Sequence, residues 1–518
     1  MKILLCTLPK HGVNVPPLAL AYLQAACRSA NIDTAVKDLN LDLWRGTIHT
    51  DWWEIWKESN TDLYKGQKFY QFLDEVYRPY LLRWADEIAA HDAPFVGLSC
   101  FSYRSLPTLK LLSPLIRAKA PHKQLIVGGA PIATYADWII KENLADWAVK
   151  SEGDIALPRI IKGDIPRGVV ETTQIADLNS LSIADYTGLD FNDYVPGDPG
   201  GLRIHHGGKA DRTEAGLIGS RGCVRRCTFC DVETYWPAFR WREPAHIFKE
   251  MMMLRDNGVE HIYFYDSLIN GNQKQLEALL DLIIAAGSPF KSIKGLAIIK
   301  RQPERIYAKM AKARVSQLSI GIESFSEEMR RQMRKRFSND MVADNLDMYR
   351  RYGIKIVLLL VVGYPSETEQ HHREQLDWLR DNIGFAGNPV TRVEIGGTMI
   401  ILPGAPVMKE KMFNLYVDKD NEWVTKNSGE FNTMAVRVRR RREIESAAAI
   451  YGFNTGSAYG EGGQLVGDHE KDNVADYRRP QDDLILLEDV DALNFEEDGI
   501  KDVIGWDSDP SRVLHANS

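Results

Sequence analysis

The chain lacks an apolar stretch long enough to cross a bilayer, and the run Ile3-Leu4-Leu5-Cys6 near its start is too short for a signal peptide. The reading is a protein of the cytoplasm with no membrane partner. Cysteine is scarce, at six among 518 residues, which excludes a disulfide framework and suits a reducing compartment. Positive charge is not in excess either. The formal net charge of -7 leaves no overall nucleic-acid footprint, so a nucleic-acid partner is not expected. What remains is an ordinary globular composition, long enough for two or three domains with cores of their own.

The few cysteines are unevenly placed. Cys6, Cys27 and Cys100 sit singly among apolar neighbours and read as small buried thiols. Cys223, Cys227 and Cys230 instead form a CxxxCxxC set within Ser220-Arg221-Gly222-Cys223-Val224-Arg225-Arg226-Cys227-Thr228-Phe229-Cys230. Three soft thiolates on one short loop can each hold a corner of an iron-sulfur cube, whereas a closed structural site normally takes four protein ligands. One metal corner is then open to a small molecule, which points to chemistry. Arg221, Arg225 and Arg226 favour thiolates electrostatically. A structural zinc site with a distant His as fourth ligand, or three unrelated cysteines in a folded loop, are the competing readings.

Residues 1–165 alternate short apolar runs with helical patterns, the sequence form of a doubly wound parallel sheet. Five strands are predicted: 3–7, 34–38, 95–100, 124–128 and 147–150. Ligands of such sheets sit at the carboxyl ends of strands, which nominates Thr7 to Pro9, Ser99 to Ser102, Gly128 to Ala130 and Ser151 to Gly153. Between the second and third strands, residues 43–92 carry Trp44, Trp52, Trp53, Trp56, Tyr64, Phe69, Tyr70, Phe72, Tyr77, Tyr80 and Trp84. This insert reads as helices packing aromatic faces onto the domain, with contact to a flat ligand as the alternative.

Residues 166–212 read as a linker, with Pro196 to Gly201 its most turn-like part. Over 213–407 the alternation resumes as six strand-helix units, which predicts a partial (β/α)6 barrel with the cysteine loop directly after its first strand. Residues 408–518 form a mixed C-terminal region. Arg437, Arg439, Arg440, Arg441 and Arg442 fall on a predicted helix, where a solvated face is the default and an anion or substrate contact the alternative. From Asp468 onward, 15 acidic face 5 basic residues, a partly ordered acidic tail.

Together, the Arg-Gly-Cys-x3-Cys-x-Phe-Cys loop after a first barrel strand and the preceding alternating domain resemble the cobalamin-binding radical SAM enzymes. Pro16 to Leu23, Val127-Gly128-Gly129, Ser319 to Ser324 and Gly363-Tyr364-Pro365-Ser366-Glu367-Thr368 support the likeness, which covers residues 1 to about 405. The resemblance implies an α/β protein with a Rossmann-like cobalamin domain at 1–165 and a radical SAM partial barrel at 213–407. It implies a 4Fe-4S cluster on Cys223, Cys227 and Cys230, with S-adenosylmethionine on the open iron. It also implies cobalamin, an electron-donating reductase such as flavodoxin or ferredoxin, and methylation of an unactivated carbon.

By the same resemblance, Phe229, Asp266, Lys300, Glu323, Ser324, Gly363 and Tyr364 would contact S-adenosylmethionine, with Arg301 beside Lys300. Thr7, Leu8, Pro9, Ser99, Phe101, Ser102, Gly128, Gly129, Glu152 and Gly153 would contact cobalamin. For the S-adenosylmethionine set the alternative is a turn residue or helix cap. No catalytic acid or base is singled out. The DxHxxG sequence that gives other cobalamin domains a histidine ligand is absent, so cobalt is expected without one, although His11 and Gly12 lie in the corresponding loop. Phe325 replaces a usual glycine and Val224 a usual proline. Radical oxidation, rearrangement or cyclisation without methyl transfer is the nearest competing function. A non-catalytic metal-binding or redox-sensing protein is the alternative from another class.

Overall fold

The structure is a computed structural model that describes residues 1–56, 71–150, 152–195 and 213–399, with 401–402, 404–409, 413, 415–417, 423–425 and 432–455 beyond them. Tyr64, Phe69, Tyr70, Ser151, the turn Pro196 to Gly201 and the acidic tail lie outside the described residues. No helix among those described is long and apolar enough to cross a membrane. They form two compact units, one from 1–175 and 181–195, the other from 176–180 and 213–455.

In the first unit the elements are β1 Lys2–Thr7, α1 Leu18–Ser29, β2 Asp33–Asp38, α2 Leu39–Thr47, α3 Arg78–Ala90, β3 Phe95–Ser99, α4 Leu106–Lys119, β4 Gln124–Gly128, α5 Ile132–Lys141, β5 Trp147–Val149, α6 Gly153–Ile161 and β6 Gly168–Val170. The strands pair in parallel in the order β2-β1-β3-β4-β5-β6. Central strands buried on both faces need near-continuous apolar runs, and Ile3-Leu4-Leu5-Cys6 is one. The order reverses at β1, whose neighbours are β2 and β3, and that switch point opens a crevice at their carboxyl ends.

The sheet has one strand more than the sequence predicts. The three-residue β6 is too short to show a period, and its place at the edge comes from pairing with β5, Trp147 against Gly168. The aromatic insert packs as expected where it is described. Trp44, Trp56, Phe72, Tyr77 and Trp84 are all buried in one core with Leu8, Leu98 and Leu109. The polar edges of two of the tryptophans are satisfied: Trp56 Nε1 donates to Thr47 Oγ1 at 2.8 Å and Trp84 Nε1 to Asp42 Oδ2 at 2.6 Å.

In the second unit, β7 Glu214–Leu217 leads through the ribbon β8 Ser220–Arg221 and the short helix α7 Val232–Tyr235 to β9 Arg240–Trp241. Then follow α8 Pro244–Asp256, β10 His261–Phe264, α9 Gln273–Ala285, β11 Ser292–Ala297, α10 Glu304–Lys312, β12 Val315–Glu323, α11 Glu327–Gln332, α12 Asn339–Arg351, β13 Lys355–Val362, α13 Glu369–Asp381 and β14 Val390–Thr398. A two-stranded antiparallel pair, β15 Leu415–Val417 and β16 Trp423–Thr425, precedes α14 Met434–Ile450. The large sheet is wholly parallel in the order β14-β13-β12-β11-β10-β7, with β7 and β14 as its two edges.

One default expectation is corrected. Arg437 and Arg440 are fully buried rather than solvated. Three residues apart, they share a face of α14, and that face packs on α13 and β13. Arg440 reaches Glu369 Oε1 at 2.9 Å and the Glu367 carbonyl oxygen at 3.1 Å.

Candidate functional site

The cysteine loop is framed before it is filled. Ser220 pairs with Trp241 and Arg221 with Arg240, so the two-residue ribbon β8–β9 closes the base of residues 222–239. Asp266, just past β10, accepts from Gly219 N at 2.7 Å and from Ser220 Oγ at 2.6 Å. Buried Arg242 donates to the Ile218 carbonyl at 2.6 Å while pairing with buried Glu250 at 2.6 Å. Gly222 lies at φ +82°, and a Cβ there would run into the Ala238 carbonyl, so only glycine fits the turn.

Within that frame Cys223, Cys227 and Cys230 are unpaired and half-buried. The Arg225 backbone N–H points at Cys223 Sγ, 3.4 Å away, as amides do toward cluster sulfurs. Burial raises the Cys227 thiol and pushes Cys230 up to about 11, each sensing its neighbouring cysteines, so loading a metal would release protons. Among the described residues, no three His, Cys, Asp or Glu side chains converge as one bound ion requires. A cube of four irons gives each thiolate its own metal atom, so three thiols spread along one loop fit a cluster rather than a single zinc.

Of the residues nominated for S-adenosylmethionine, Asp266 and Tyr364 bond directly to this loop or its frame, and Glu323 is linked to Phe229 through Lys335. Glu323, at φ +66°, ends β12 and pairs with Lys335 Nζ at 2.6 Å. The same ammonium donates to the Gly321 carbonyl at 2.7 Å and lies 5.8 Å from the centre of the Phe229 ring. Lys335 also lowers the Cys227 thiol, while Glu323 raises it. Lys300 donates to the Asn270 carbonyl at 2.9 Å, and its ammonium is disfavoured first by burial and then by Arg225 of the cysteine loop. Arg301 is exposed.

Tyr364 is wholly buried, its hydroxyl 2.7 Å from Thr228 Oγ1, which ties the end of β13 to the cysteine loop. Gly363 N donates to Glu367 Oε2 at 2.6 Å. Burial pushes Glu367 up to about 7 against the opposing pull of Arg440. A Cβ on Gly363 would strike the Arg437 side chain. Ser324 serves the local turn: its Oγ accepts from Ser326 N at 3.1 Å and its carbonyl from Arg330 at 2.7 Å. Phe325 stacks on Trp378, centroids 3.7 Å apart and planes 4° from parallel.

Sequence reasoning passed over Lys335, Arg242 and the buried side of α14. The spacing of Arg437 and Arg440 was the only local signal for the last. Lys335 and Arg242 read like any charge on an amphipathic segment, since Glu323 with the Gly321 carbonyl and Glu250 with the Ile218 carbonyl become their partners only in the fold.

In the first unit, the loops after β1, β3 and β4 are knitted at the switch point. Leu8 N donates to the Ser99 carbonyl at 3.0 Å, and Cys100 N to the Gly128 carbonyl at 2.8 Å. Gly129, at φ +122°, lies so close to Cys100 that a Cβ would overlap its carbonyl oxygen. Beside it, a Cβ on Gly128 would meet only Val149, at 4.0 Å. Thr7, Leu8 and Pro9 are buried, and Ser105 and Thr108 donate to the Leu8 and Pro9 carbonyls at 3.1 and 2.9 Å. Ser99 and Ser102 are half-buried, and Phe101 is 61% exposed. Glu152 is buried and accepts from Ile175 N at 2.7 Å, while Gly153 lies against Leu23 of α1.

Residues 217–379 match the Radical SAM superfamily. An uncharacterized methyltransferase of Synechocystis sp. is 23% identical over 266 residues, 49% of this chain; the chain spans 46% of that relative's length. Among solved structures, the radical S-adenosylmethionine methyltransferase TsrM of Kitasatospora setae, with cobalamin and a [4Fe-4S] cluster bound, superposes with a TM-score of 0.56 at 15% identity, covering 78% of this chain and 76% of that one. The cobalamin-dependent S-adenosylmethionine radical enzyme OxsB gives 0.55 at 14% identity over 87% of this chain and 66% of that one. The fold of this chain is therefore that of these enzymes. Residues 217–379, cysteine loop included, are a radical SAM domain, the domain that works with a 4Fe-4S cluster and S-adenosylmethionine.

Proposed function

We propose that this chain is a cobalamin-dependent radical SAM enzyme that methylates an unactivated carbon of its substrate. The observation that carries the reading is the trio Cys223, Cys227 and Cys230, unpaired in one loop beyond the first strand of a parallel sheet. Methyl transfer is supported by the methyltransferase relatives, and cobalamin by the glycine-lined switch point of the first unit.

When bound, the cluster supplies the electron that cleaves S-adenosylmethionine to a 5'-deoxyadenosyl radical, and cobalamin supplies a transferable methyl group. The chain's own residues bind and orient. Three thiolates hold the cluster, and the Arg225 amide steadies one of them. Phe229 offers an apolar face for adenine beside Lys335. Lys300 stands near the cysteine loop as a cation for the methionine carboxylate, and Glu323 with Gly363 shape the ribose and adenine side. A reductase such as flavodoxin or ferredoxin delivers the electron.

Anaerobic reconstitution with iron, sulfide and hydroxocobalamin tests this. About four irons and four sulfides per chain, with 5'-deoxyadenosine formed on reduction, are expected. Methyl-labelled S-adenosylmethionine should mark a product carbon in candidate extracts. Stoichiometric zinc would sink the radical reading. Deoxyadenosine without methyl transfer would leave radical oxidation, rearrangement or cyclisation. A Cys227→Ala variant that kept a full cluster would remove the ligand assignment.

A further inference from the structure

We infer that the cysteine loop is flanked by a docking surface for an acidic one-electron carrier protein, built from Arg331, Arg334 and Arg336 on one side and Met408 and Lys409 on the other. The inference rests on the radical reading above and adds where its electron enters.

Thr228 is the residue around which this surface is assembled. Its backbone N–H donates to the Met333 carbonyl at 3.3 Å, and its carbonyl accepts from Val407 N at 2.7 Å. Two segments far apart in the chain are thereby fastened to the stretch Cys227 to Cys230. Met333 and Val407 also share one buried core, against which Phe229 packs. Buried Lys335 lies 5.8 Å from the centre of the Phe229 ring, so the run Arg334-Lys335-Arg336 spans from solvent to the loop.

What these segments show to solvent carries charge of one sign. In 331–336 the exposed residues are Arg331, Arg334 and Arg336, and in 406–409 they are Met408 and Lys409. Neither segment contains an acid. Arg331 is ion-paired with Glu328, so Arg336 and Lys409, one from each segment, are the residues that a test can best reverse. Cations with a 46% exposed methionine among them suit a protein partner of opposite charge: the charges steer the encounter, and the thioether adapts to the surface that covers it. An electron carrier is the partner this place requires, because its redox group has to come close to the thiolates. The reduced carrier gives up one electron and is oxidised by one, the cluster gains it, and no bond or proton moves in that step.

The test uses the full reconstituted chain and a fluorescently labelled flavodoxin as probe, with binding followed by anisotropy. Affinity is expected to fall as salt is raised, and the double variant Arg336→Glu with Lys409→Glu is expected to bind about tenfold more weakly at low salt. Its flavodoxin-driven formation of 5'-deoxyadenosine should slow, while iron content and dithionite-driven formation stay at the wild-type level. Lys291→Glu with Lys355→Glu makes the same charge change at exposed lysines beside the amino ends of β11 and β13, and should leave binding as it is. Equal weakening in the two pairs would reduce the effect to net charge and overturn the surface, as would unchanged binding in the first pair. Tighter binding in the first pair would mean that the chain's own acidic tail occupies the surface, and would also overturn it. If dithionite yields no deoxyadenosine in the wild type, the radical reading itself falls, and this inference with it.

Discussion

Asp266 grips Ser220 from the neighbouring strand, its Oδ2 accepting the Ser220 hydroxyl at 2.6 Å while Oδ1 takes the Gly219 amide at 2.7 Å. A single buried carboxyl therefore sets where the chain leaves the sheet, three residues before Cys223, the first cysteine of the loop.

Removing that grip should loosen the loop. Asp266→Ala leaves the buried Gly219 amide unsatisfied, at a cost of about 1–3 kcal/mol, and should lower iron content after reconstitution. Asp266→Asn keeps an acceptor for the amide and should load normally. The pH response separates the two states of the carboxyl. Burial raises Asp266 to about 7, so the folded chain holds a proton that the unfolded chain releases near pH 4. Its contribution to stability is full at low pH and is lost as pH rises toward 7. Urea melts across that range should slope less in Asp266→Asn than in wild type.

The buried Arg440 stands 3.6 Å from Glu367, which holds the Gly363 amide. Arg440→Met should destabilise the second unit by about 3–5 kcal/mol, because it strands a carboxyl in the interior. Without the arginine Glu367 stays protonated to higher pH, so the loss should deepen above pH 7. Arg440→Met combined with Glu367→Gln should recover much of it. Thermal melts of the two variants at pH 6 and pH 8 decide this.

Phe325 belongs to packing rather than to the loop. Truncating it should cost about 3–5 kcal/mol in Phe325→Ala through its stacking partner Trp378, with iron and sulfide content unchanged. A variant that lost its cluster while keeping its melting temperature would refute that division.

Two glycines with similar backbone angles should behave differently. Gly222 and Gly287 lie at φ +82° and +78°, but a Cβ would collide with Ala238 at the first and meet nothing at the second. Gly287→Ala should cost only the left-handed strain, about 1–2 kcal/mol, and retain its iron. Gly222→Ala should lose iron as well. Equal iron content in the two variants would mean that the turn is not required for loading.

Much of this was legible because it is local. Apolar runs such as Ile3-Leu4-Leu5-Cys6 mark buried parallel strands, and the cysteines sit within eight residues of one another. The parallel α/β reading of both units holds. What escaped was non-local. The edge strand Gly168–Val170 exists by pairing with β5, and buried Arg440 is paired with Glu369, 71 residues before it. Neither leaves a periodic trace. Phe325 likewise finds its stacking partner in Trp378, 53 residues on.

The sequence by itself set the candidate metal loop, because three cysteines within eight residues place soft ligands side by side whatever the rest of the chain does. It also determined the two parallel sheets, through the period of their apolar residues. Tertiary structure alone decided which charges are buried. It set Lys335 beside Glu323 and Phe229, Arg437 across Gly363, and the nitrogens of His11 against Thr7 and Gly12. A side chain's charge and hydrogen-bonding capacity are written in the residue, but its partner is selected only when distant segments pack, and that partner decides whether the group can meet a ligand.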